Sequence, residues 1–281
     1  MTQPPANQTD LADLTDINQI KALLQKHNLW AKKSLGQNFL TNSSVIDTII
    51  QASQVTSDDI VLEIGPGLGV LTKALAQKAQ HVHSIEIDQD MLPILNETLS
   101  QSENVTIIPG NSLKIDLTKI ISHHPYKVVA NIPYYITSPL LNLFLQNEHQ
   151  PESITFLVQK EVAEKICHKE PDMSVLALQV HLFGTPKLIA TVKNSDFHPA
   201  PKVDSAILHI NLHQPNDPSY LDPETALKIL KTAQQAFTSG RKKLSNTLPH
   251  LKDQLQQLHL DTQRPQHLSI KNWLDLIKIS T

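Results

Sequence analysis

Apolar positions along the chain follow a helical spacing at first and a strand-like spacing later. Two amphipathic helices are predicted over residues 16–28 and 45–52, where Ile, Leu and Val recur every three or four positions. From Ile60 onward, short apolar runs alternate with helix-length segments. The predicted strands are residues 60–64, 82–87, 105–108, 127–130 and 154–159, and the predicted helices between them are residues 70–78, 90–99 and 139–145. This alternation predicts an α/β fold with a mainly parallel, doubly wound sheet.

The pattern changes again after Lys160. We predict helices over residues 161–168 and 174–183, followed by strands over residues 188–192 and 203–212. Residues 216–223 are rich in Pro, Asp and Ser, which predicts a linker. Beyond the linker, helices are predicted over residues 223–237, 241–258 and 269–279. The chain therefore divides into a flexible N-terminus (1–15), an α/β domain (16–215) and a small all-helical domain (216–281).

Composition narrows the class of protein. Of the 281 residues, 40% are hydrophobic and 18% are charged, as in a folded soluble protein. The apolar stretches are too short to span a membrane, and the single cysteine, Cys167, excludes a disulfide framework and argues against a thiolate zinc site. The 14 histidines show no metal-ligand spacing, so no metal site is predicted. Without a signal-peptide pattern, we expect a cytoplasmic protein, and we expect it to be a monomer.

The charge is distributed unevenly. Net charge is −3, but residues 202–281 hold 10 Lys/Arg against 7 Asp/Glu, whereas residues 1–201 hold 14 against 20. An acidic N-terminal part and a basic C-terminal part indicate different functions for the two parts. Ordinary solvated surface also produces such an asymmetry.

Three of the seven glycines fall within five residues, in the run EIGPGLG at residues 63–69. The run follows a predicted strand and precedes a predicted helix, where glycine allows a tight turn and a close approach of a ligand to the backbone. Glu86 ends the next strand, a position suited to binding ribose hydroxyls. Val70 stands where the dinucleotide fingerprint needs its third glycine, which favours a nucleoside ligand without a pyrophosphate. S-adenosylmethionine fits this description, with S-adenosylhomocysteine as the product.

Asn111 follows the third predicted strand of the alternating region. Its side-chain amide has an acceptor and two donors, so it can pair with the edge of an adenine base. Asparagine is also a common turn former. The sequence leaves both interpretations open.

The run NIPY, residues 131–134, closes the fourth of these strands and is the most informative motif. The Asn131 side-chain oxygen and the neighbouring backbone carbonyl can both accept hydrogen bonds from one planar NH2 group. Pro133 fixes the backbone and removes a competing donor, and Tyr134 offers a flat face for stacking. The pattern predicts methyl transfer to a planar nitrogen, either adenine N6 or an amide.

Five runs in order connect these features to a known family: KKSLGQNFL (32–40), EIGPGLG (63–69), NIPYY (131–135), QKE (159–161) and FHPAPKVDSA (197–206). Together they resemble the ribosomal RNA adenine N6-dimethyltransferases, and most closely the bacterial small-subunit (16S) members. The resemblance extends from about residue 17 to the C-terminus. It implies a Rossmann-like class I S-adenosylmethionine-dependent methyltransferase with a helical RNA-binding C-terminal domain. It also implies dimethylation at N6 of two adjacent adenosines near the 3′ end of 16S rRNA, within a 30S precursor.

The resemblance also assigns roles to individual residues. Those assigned to S-adenosylmethionine are Asn38, Leu40, Gly65, Gly67, Glu86, Asn111 and Asn131. Those assigned to catalysis and the target base are Asn131, Ile132, Pro133, Tyr134 and Phe197. Phe197 is assigned to the face of the base opposite Tyr134, whereas without the resemblance we would place it in the core.

Three departures from the family pattern are visible. Asn111 stands where Asp is usual, which keeps an acceptor but loses a charge, so we expect binding to be retained or weakened. Leu35 replaces a common aromatic residue, and we expect this to be tolerated. The loop at residues 169–173 is short and lacks the usual Gly and Tyr, which places its handling of substrate in doubt.

Basic residues predict contacts with RNA. The run SGRKK at residues 239–243 is predicted to open a helix, where three cations oppose the helix dipole. A charge run of this kind is usually solvated surface, but the family carries a basic tract here, so the resemblance implies that Arg241, Lys242 and Lys243 contact phosphates. Three more candidates flank the predicted pocket: Lys32, Lys33 and Lys202. Since the target base must leave its stack, single-stranded or loop RNA is expected.

Other functions remain open. A large-subunit rRNA adenine methyltransferase of the macrolide-resistance type belongs to the same class. A non-catalytic RNA-binding assembly factor or transcription factor can share the scaffold, but the intact NIPY run argues for chemistry. A methyltransferase acting on glutamine amides has a similar tetrapeptide, but the basic helical region and the GQNF run favour RNA.

Overall fold

The structure is a computed structural model that describes residues 14–122, 124–239 and 241–280. The predicted flexible N-terminus falls mainly on residues 1–13, which lie outside the described residues. Leu14, at the end of that segment, is buried beside Ile20 and Leu24 in a small apolar cluster. The flexibility of residues 1–15 stays a prediction.

The elements of the described chain agree with most of the predicted ones. The strands are β1 Phe39–Leu40, β2 Ile60–Ile64, β3 His81–Glu86, β4 Val105–Pro109, β5 Tyr126–Asn131, β6 Ser153–Gln159, β7 Gly184–Val192, β8 Phe197–His198 and β9 Ser205–Leu212. The helices are α1 Ile17–Lys26, α2 Ser43–Ser53, α3 Val70–Ala76, α4 Leu92–Thr98, α5 Thr118–Ile121, α6 Thr137–Leu145, α7 Lys160–Cys167, α8 Val175–Phe183, α9 Pro223–Phe237, α10 Leu244–Thr247, α11 Lys252–Gln257 and α12 Ile270–Ile279. Short 3-10 turns occur at Lys33–Leu35, Gln89–Met91, Tyr134–Ile136, Asn194–Asp196, Pro249–Leu251 and Pro265–His267.

The large sheet has the strand order β4-β3-β2-β5-β6-β9-β7. The strands from β4 to β6 are parallel, whereas β9 is antiparallel to both β6 and β7. This arrangement confirms the predicted α/β fold. The order reverses at β2, since β3 and β4 lie on one side of it and β5 and β6 on the other. Ligands in such sheets bind at the carboxyl ends of the strands beside this switch point.

Several local features differ from the prediction, among them helix α5, which was not predicted. The two-residue strands β1 and β8 pair antiparallel and were not predicted, because two residues carry no periodic signal. The predicted single helix over residues 241–258 is wrong. It is broken into α10, a 3-10 turn and α11. Pro249 explains the break, because proline lacks an amide hydrogen and its ring clashes with the preceding turn.

The C-terminal helices pack against the sheet region. Helix α9 lies against α8, and Ile229 and Trp273 belong to the same cluster of buried side chains as Leu62 and Phe156 in the sheet. The boundary near residue 216 stays a prediction. Within the part of the chain that is described, no helix is both long enough and apolar enough to cross a bilayer.

Candidate active site

The turn after β2 lies at the switch point, and three of its residues are glycines, which have no side chain to cover the backbone. Gly65, Gly67 and Gly69 all have positive φ angles, of 68°, 59° and 87°, which side-chain-bearing residues rarely adopt. A Cβ atom built on Gly65 would meet no described atom within 4 Å, whereas one on Gly67 would lie 3.4 Å from the Phe39 ring. The Gly65 N–H donates to the Ile85 carbonyl (2.9 Å), which fixes the turn to β3. The open side of Gly65 can therefore take a ligand.

A cleft lies between this glycine turn and the end of β5. Ten of the predicted site residues line it together: Asn38, Leu40, Gly65, Gly67, Glu86, Asn131, Ile132, Pro133, Tyr134 and Phe197. They come from β1 and the segment before it, the β2–α3 turn, the end of β3, the end of β5, and β8. Asn111 and the six predicted phosphate-binding residues are not among the described residues that line the cleft.

Asn131 is the last residue of β5, where it pairs with Leu157 of β6. Its Nδ2 donates to the Asn38 carbonyl (3.2 Å), and Asn38 Nδ2 donates to the Gly36 carbonyl (3.0 Å). No described residue donates to Asn131 Oδ1. Since the donor end of the amide is held by the chain, the acceptor end is left for a ligand in the cleft.

Tyr134 follows Asn131 in a 3-10 turn. Its hydroxyl hydrogen-bonds with Ser205 Oγ (2.7 Å) at the start of β9, and burial raises the pKa of the phenol. The bond fixes one edge of the ring, and the phenol stays neutral. Phe197, in β8, pairs with Leu40 and is only 3% exposed, so it forms part of the cleft wall.

Glu86 ends β3 and accepts two backbone hydrogen bonds. Its Oε1 accepts from the Asp88 N–H (2.7 Å) and its Oε2 accepts from the Gly67 N–H over 3.4 Å. Burial raises the pKa of this carboxyl. The two bonds hold the carboxylate beside the glycine turn, where acceptors for ribose hydroxyls are expected.

Glu63 is a second acid in the cleft to which the sequence analysis gave no role. It is 1% exposed, and its Oε2 accepts from Ser84 Oγ (2.6 Å) and Thr72 Oγ1 (2.7 Å). Burial raises its pKa to about 7, and the nearby Glu86 adds to the shift. The signal was present in the sequence, since Glu63 is a charged residue inside the apolar run of β2.

Comparison with known proteins identifies the family. Residues 28–281 match the family described as ribosomal RNA adenine dimethylase. The chain belongs to the ribosomal RNA adenine dimethylase family. A ribosomal RNA small subunit methyltransferase A from Dehalococcoides mccartyi is 38% identical over 231 residues, which are 82% of this chain and 78% of that protein.

Two solved structures are similar to this dimethylase-family chain over most of its length. A dimethyladenosine transferase from Plasmodium falciparum has a TM-score of 0.72 and 25% identity, over 85% of this chain and 96% of its own. The 23S rRNA methyltransferase ErmE has a TM-score of 0.69 and 26% identity, over 86% and 98% of the two chains. These similarities confirm the predicted family resemblance and the class I methyltransferase fold.

Lys32 has a different environment from the one predicted for a phosphate-binding residue. Its Nζ contacts Asp88 Oδ1 and Asp90 Oδ2, both at 2.6 Å, and these hydrogen bonds raise its pKa. Gln37 completes the arrangement, since its Nε2 donates to Asp88 Oδ2 (2.8 Å) and its Oε1 accepts from the Lys32 N–H (2.8 Å). Two carboxylates of the chain compensate the charge of Lys32. We therefore assign it to holding residues 32–38 over the end of β3.

The other predicted contacts lie outside the cleft. Asn111 Oδ1 accepts from the Leu113 N–H (3.0 Å), as a turn-forming asparagine does, and its role toward a cofactor stays a prediction. The remaining basic candidates are exposed and make no salt bridge with a described residue: Lys33, Lys202, Arg241, Lys242 and Lys243. The last three do not open a helix, because α10 begins after Lys243. Their contact with RNA stays a prediction.

We expect Lys32→Met to weaken binding of S-adenosylmethionine by roughly three- to tenfold, the equivalent of one ordinary hydrogen bond. The loss of both carboxylate contacts releases residues 32–38, which carry Asn38 into the cleft. Isothermal titration calorimetry measures the change. Lys26→Met, which removes the exposed ion pair with Glu97 outside the cleft, is the control and should leave the Kd unchanged. Equal Kd values for the two variants would contradict the assignment of Lys32.

We expect Glu63→Gln to make stability less dependent on pH. The folded-state pKa of about 7 lies above the ordinary value of 4.5, so between these values the folded state binds more protons than the unfolded state. The free energy of unfolding therefore falls as pH rises through this window. From about pH 5 to about pH 7.5, Glu63 accounts for a loss of about 2 kcal/mol.

Urea unfolding at several pH values measures this difference. The exposed Glu103→Gln variant is the control and should follow the wild-type curve. If the free energy of unfolding of the Glu63→Gln protein falls with rising pH as steeply as that of the wild type, a group other than Glu63 causes the pH dependence.

Proposed function

We propose that this protein transfers methyl groups from S-adenosylmethionine to N6 of two adjacent adenosines near the 3′ end of 16S ribosomal RNA, in a 30S subunit precursor. The observation that carries the proposal is the position of Asn131, whose free acceptor oxygen lies in the same cleft as the open face of Gly65. Family membership and the name of the Dehalococcoides mccartyi relative support the adenine base and the small subunit. We also propose that the protein acts as a monomer.

The residues of the cleft fit S-adenosylmethionine. The space beside Gly65 is open, and Glu86 holds its carboxylate beside the turn, ready to accept from ribose hydroxyls. Asn38 and Leu40 close the cleft from the segment over β3, and Asn111 is assigned to the adenine end through its remaining amide hydrogens. When bound, S-adenosylmethionine supplies a methyl group that is already activated on its sulfonium. The proposed reaction therefore needs no metal.

The chain holds the target nitrogen with two acceptors. The exocyclic amine of adenine is a poor nucleophile because its lone pair is delocalised into the ring. Asn131 Oδ1 accepts one of its hydrogens, and we assign the other to the Ile132 carbonyl, since the Pro133 carbonyl accepts from the Ile136 N–H (3.1 Å). These two bonds fix the nitrogen and favour its pyramidal form.

Aromatic side chains position the base. Tyr134 presents the face on which the adenine stacks, a contact worth about 1–3 kcal/mol, and its bond to Ser205 keeps the ring in place. Phe197 covers the other face from β8. Because a base in a helix cannot reach the end of β5, the adenosine must be unstacked first.

The helical region beyond residue 216 is assigned to RNA. Arg241, Lys242 and Lys243 lie in an exposed turn before α10, and with Lys202 they contact phosphates. The similarity to ErmE makes large-subunit RNA the alternative substrate. Methylation of 30S and 50S precursors in parallel distinguishes the two substrates.

We expect Asn131→Ala to lower kcat for methyl incorporation into 30S precursors by about 10²- to 10³-fold, because one of two acceptors on the target amine is lost. Radiolabelled methyl transfer measures the rate. Asn142→Ala, an exposed asparagine of α6 outside the cleft, is the matched control and should keep wild-type activity. Undiminished transfer by Asn131→Ala would refute the mechanism.

We expect replacement of Arg241, Lys242 and Lys243 by Gln to flatten the salt dependence of RNA binding. Each lost phosphate contact lowers the slope of log K against log salt by about one unit. Filter binding at several salt concentrations measures the slope. Lys78→Gln, between α3 and β3 at the amino edge of the sheet, is the control and should keep it. An unchanged slope for the triple variant would exclude these residues from the RNA contact.

A further inference from the structure

An exposed tryptophan lies in a groove outside the cleft. Trp30 is 72% exposed, whereas the other tryptophan, Trp273, is fully buried. Besides Trp30, the lining of the groove includes Lys21, Leu24, Leu29, Lys33, His198 and Pro199. The ring shares this groove with the apolar residues Leu24 and Leu29, and a contiguous exposed apolar surface of this kind points to a partner that covers it.

The charge of this groove favours an anionic partner. Lys21 and Lys33 are exposed, and neither forms a salt bridge within the described chain. None of the described residues that line the groove is acidic. Nearby lysines differ, since Lys26 pairs with Glu97 and Lys32 with Asp88. Unpaired cations beside an exposed aromatic ring are what a single-stranded nucleic acid uses, through its phosphates and its bases.

The groove adjoins the candidate active site along two segments of chain. Phe197 lines the cleft, and the next residues, His198 and Pro199, line the groove. On the other segment, Lys33 lines the groove and Leu35 lines the cleft. The pairing of β1 with β8 joins these two segments. The β1–β8 pair therefore connects the groove to the cleft, which is the site assigned to the target adenosine.

We propose that the groove binds a nucleotide next to the target adenosine in the RNA strand. Its base stacks on the indole of Trp30, and its phosphates contact Lys21 and Lys33. This inference rests on the proposed function, because it takes the substrate to be RNA. It adds an RNA-binding site that is separate from both the cleft and the basic turn before α10.

Trp30 itself reports on the interaction. An adenosine oligomer of about six nucleotides, added to the full-length protein, should quench Trp30 emission, while the buried Trp273 contributes a constant background. Trp30→Ala should raise the Kd of a labelled oligomer, measured by anisotropy, at least about fivefold. Trp30→Phe keeps an aromatic face and should stay within about twofold of wild type. Lys21→Gln and Lys33→Gln should each weaken binding and lower its salt dependence.

Steady-state methylation of 30S precursors tests the same site under turnover. Trp30→Ala should raise KM by a similar factor and leave kcat within about twofold, because the groove binds RNA away from the reacting nitrogen. Leu227→Ala, which removes an exposed apolar side chain on α9, is the control and should leave the oligomer Kd unchanged. Circular dichroism shows whether each variant is folded. If Trp30→Ala is not folded, Lys21→Gln and Lys33→Gln test the groove in its place, and wild-type Kd values for both would overturn the inference.

The outcomes separate this inference from the proposed function. If the wild type methylates 30S precursors but Trp30→Ala keeps its Kd and KM, the inference is overturned and the proposed function stands. If Trp30→Ala raises KM on 30S precursors without changing the oligomer Kd, the groove contacts a protein of the precursor, which also overturns the inference. If the wild type neither binds nor methylates RNA, the proposed function fails and the inference fails with it.

Discussion

The parallel pairing of β2 with both β3 and β5 is the constraint on which the site depends. It brings three strand ends to one edge, so Gly65, Glu86 and Asn131 become neighbours although they are far apart in sequence. The glycine turn leaves backbone open at that edge because its positive φ angles exclude most side chains. These strand ends therefore supply one side of the cleft.

The second requirement is that this edge of the sheet is covered. Residues 32–38, which precede α2, cover it. Two contacts fasten the segment at different points: Lys32 to Asp88 and Asp90, and Asn38 to Asn131. The second contact also orients the Asn131 amide, since a carboxamide that donates through Nδ2 must present Oδ1 elsewhere. In the proposed mechanism this segment contributes to the chemistry, because without its carbonyl the Asn131 amide would be free to turn its donor toward the target amine.

Most of the fold and much of the site were predictable because their signals are local. The strands of the sheet are apolar runs, the glycine turn is a cluster of one residue type, and the NIPY run follows a strand directly. The topological rule for parallel sheets then brings these pieces together without further information. Lys32 could not be predicted in the same way. Its partners lie 56 and 58 positions away, and only folding shows that its charge is already compensated.

The same distinction applies to every basic residue in the chain. A lysine that is close in sequence to pocket residues is a candidate for phosphate binding. A lysine that already contacts two carboxylates would have to break those contacts before it could bind a phosphate. Lys33, adjacent to Lys32, has no such partner among the described residues and faces the groove with Trp30. Two neighbouring cations of one motif therefore have different environments. Lys32 fastens residues 32–38 to Asp88 and Asp90, whereas Lys33 has no such partner among the described residues and is the one that we propose contacts the nucleic acid.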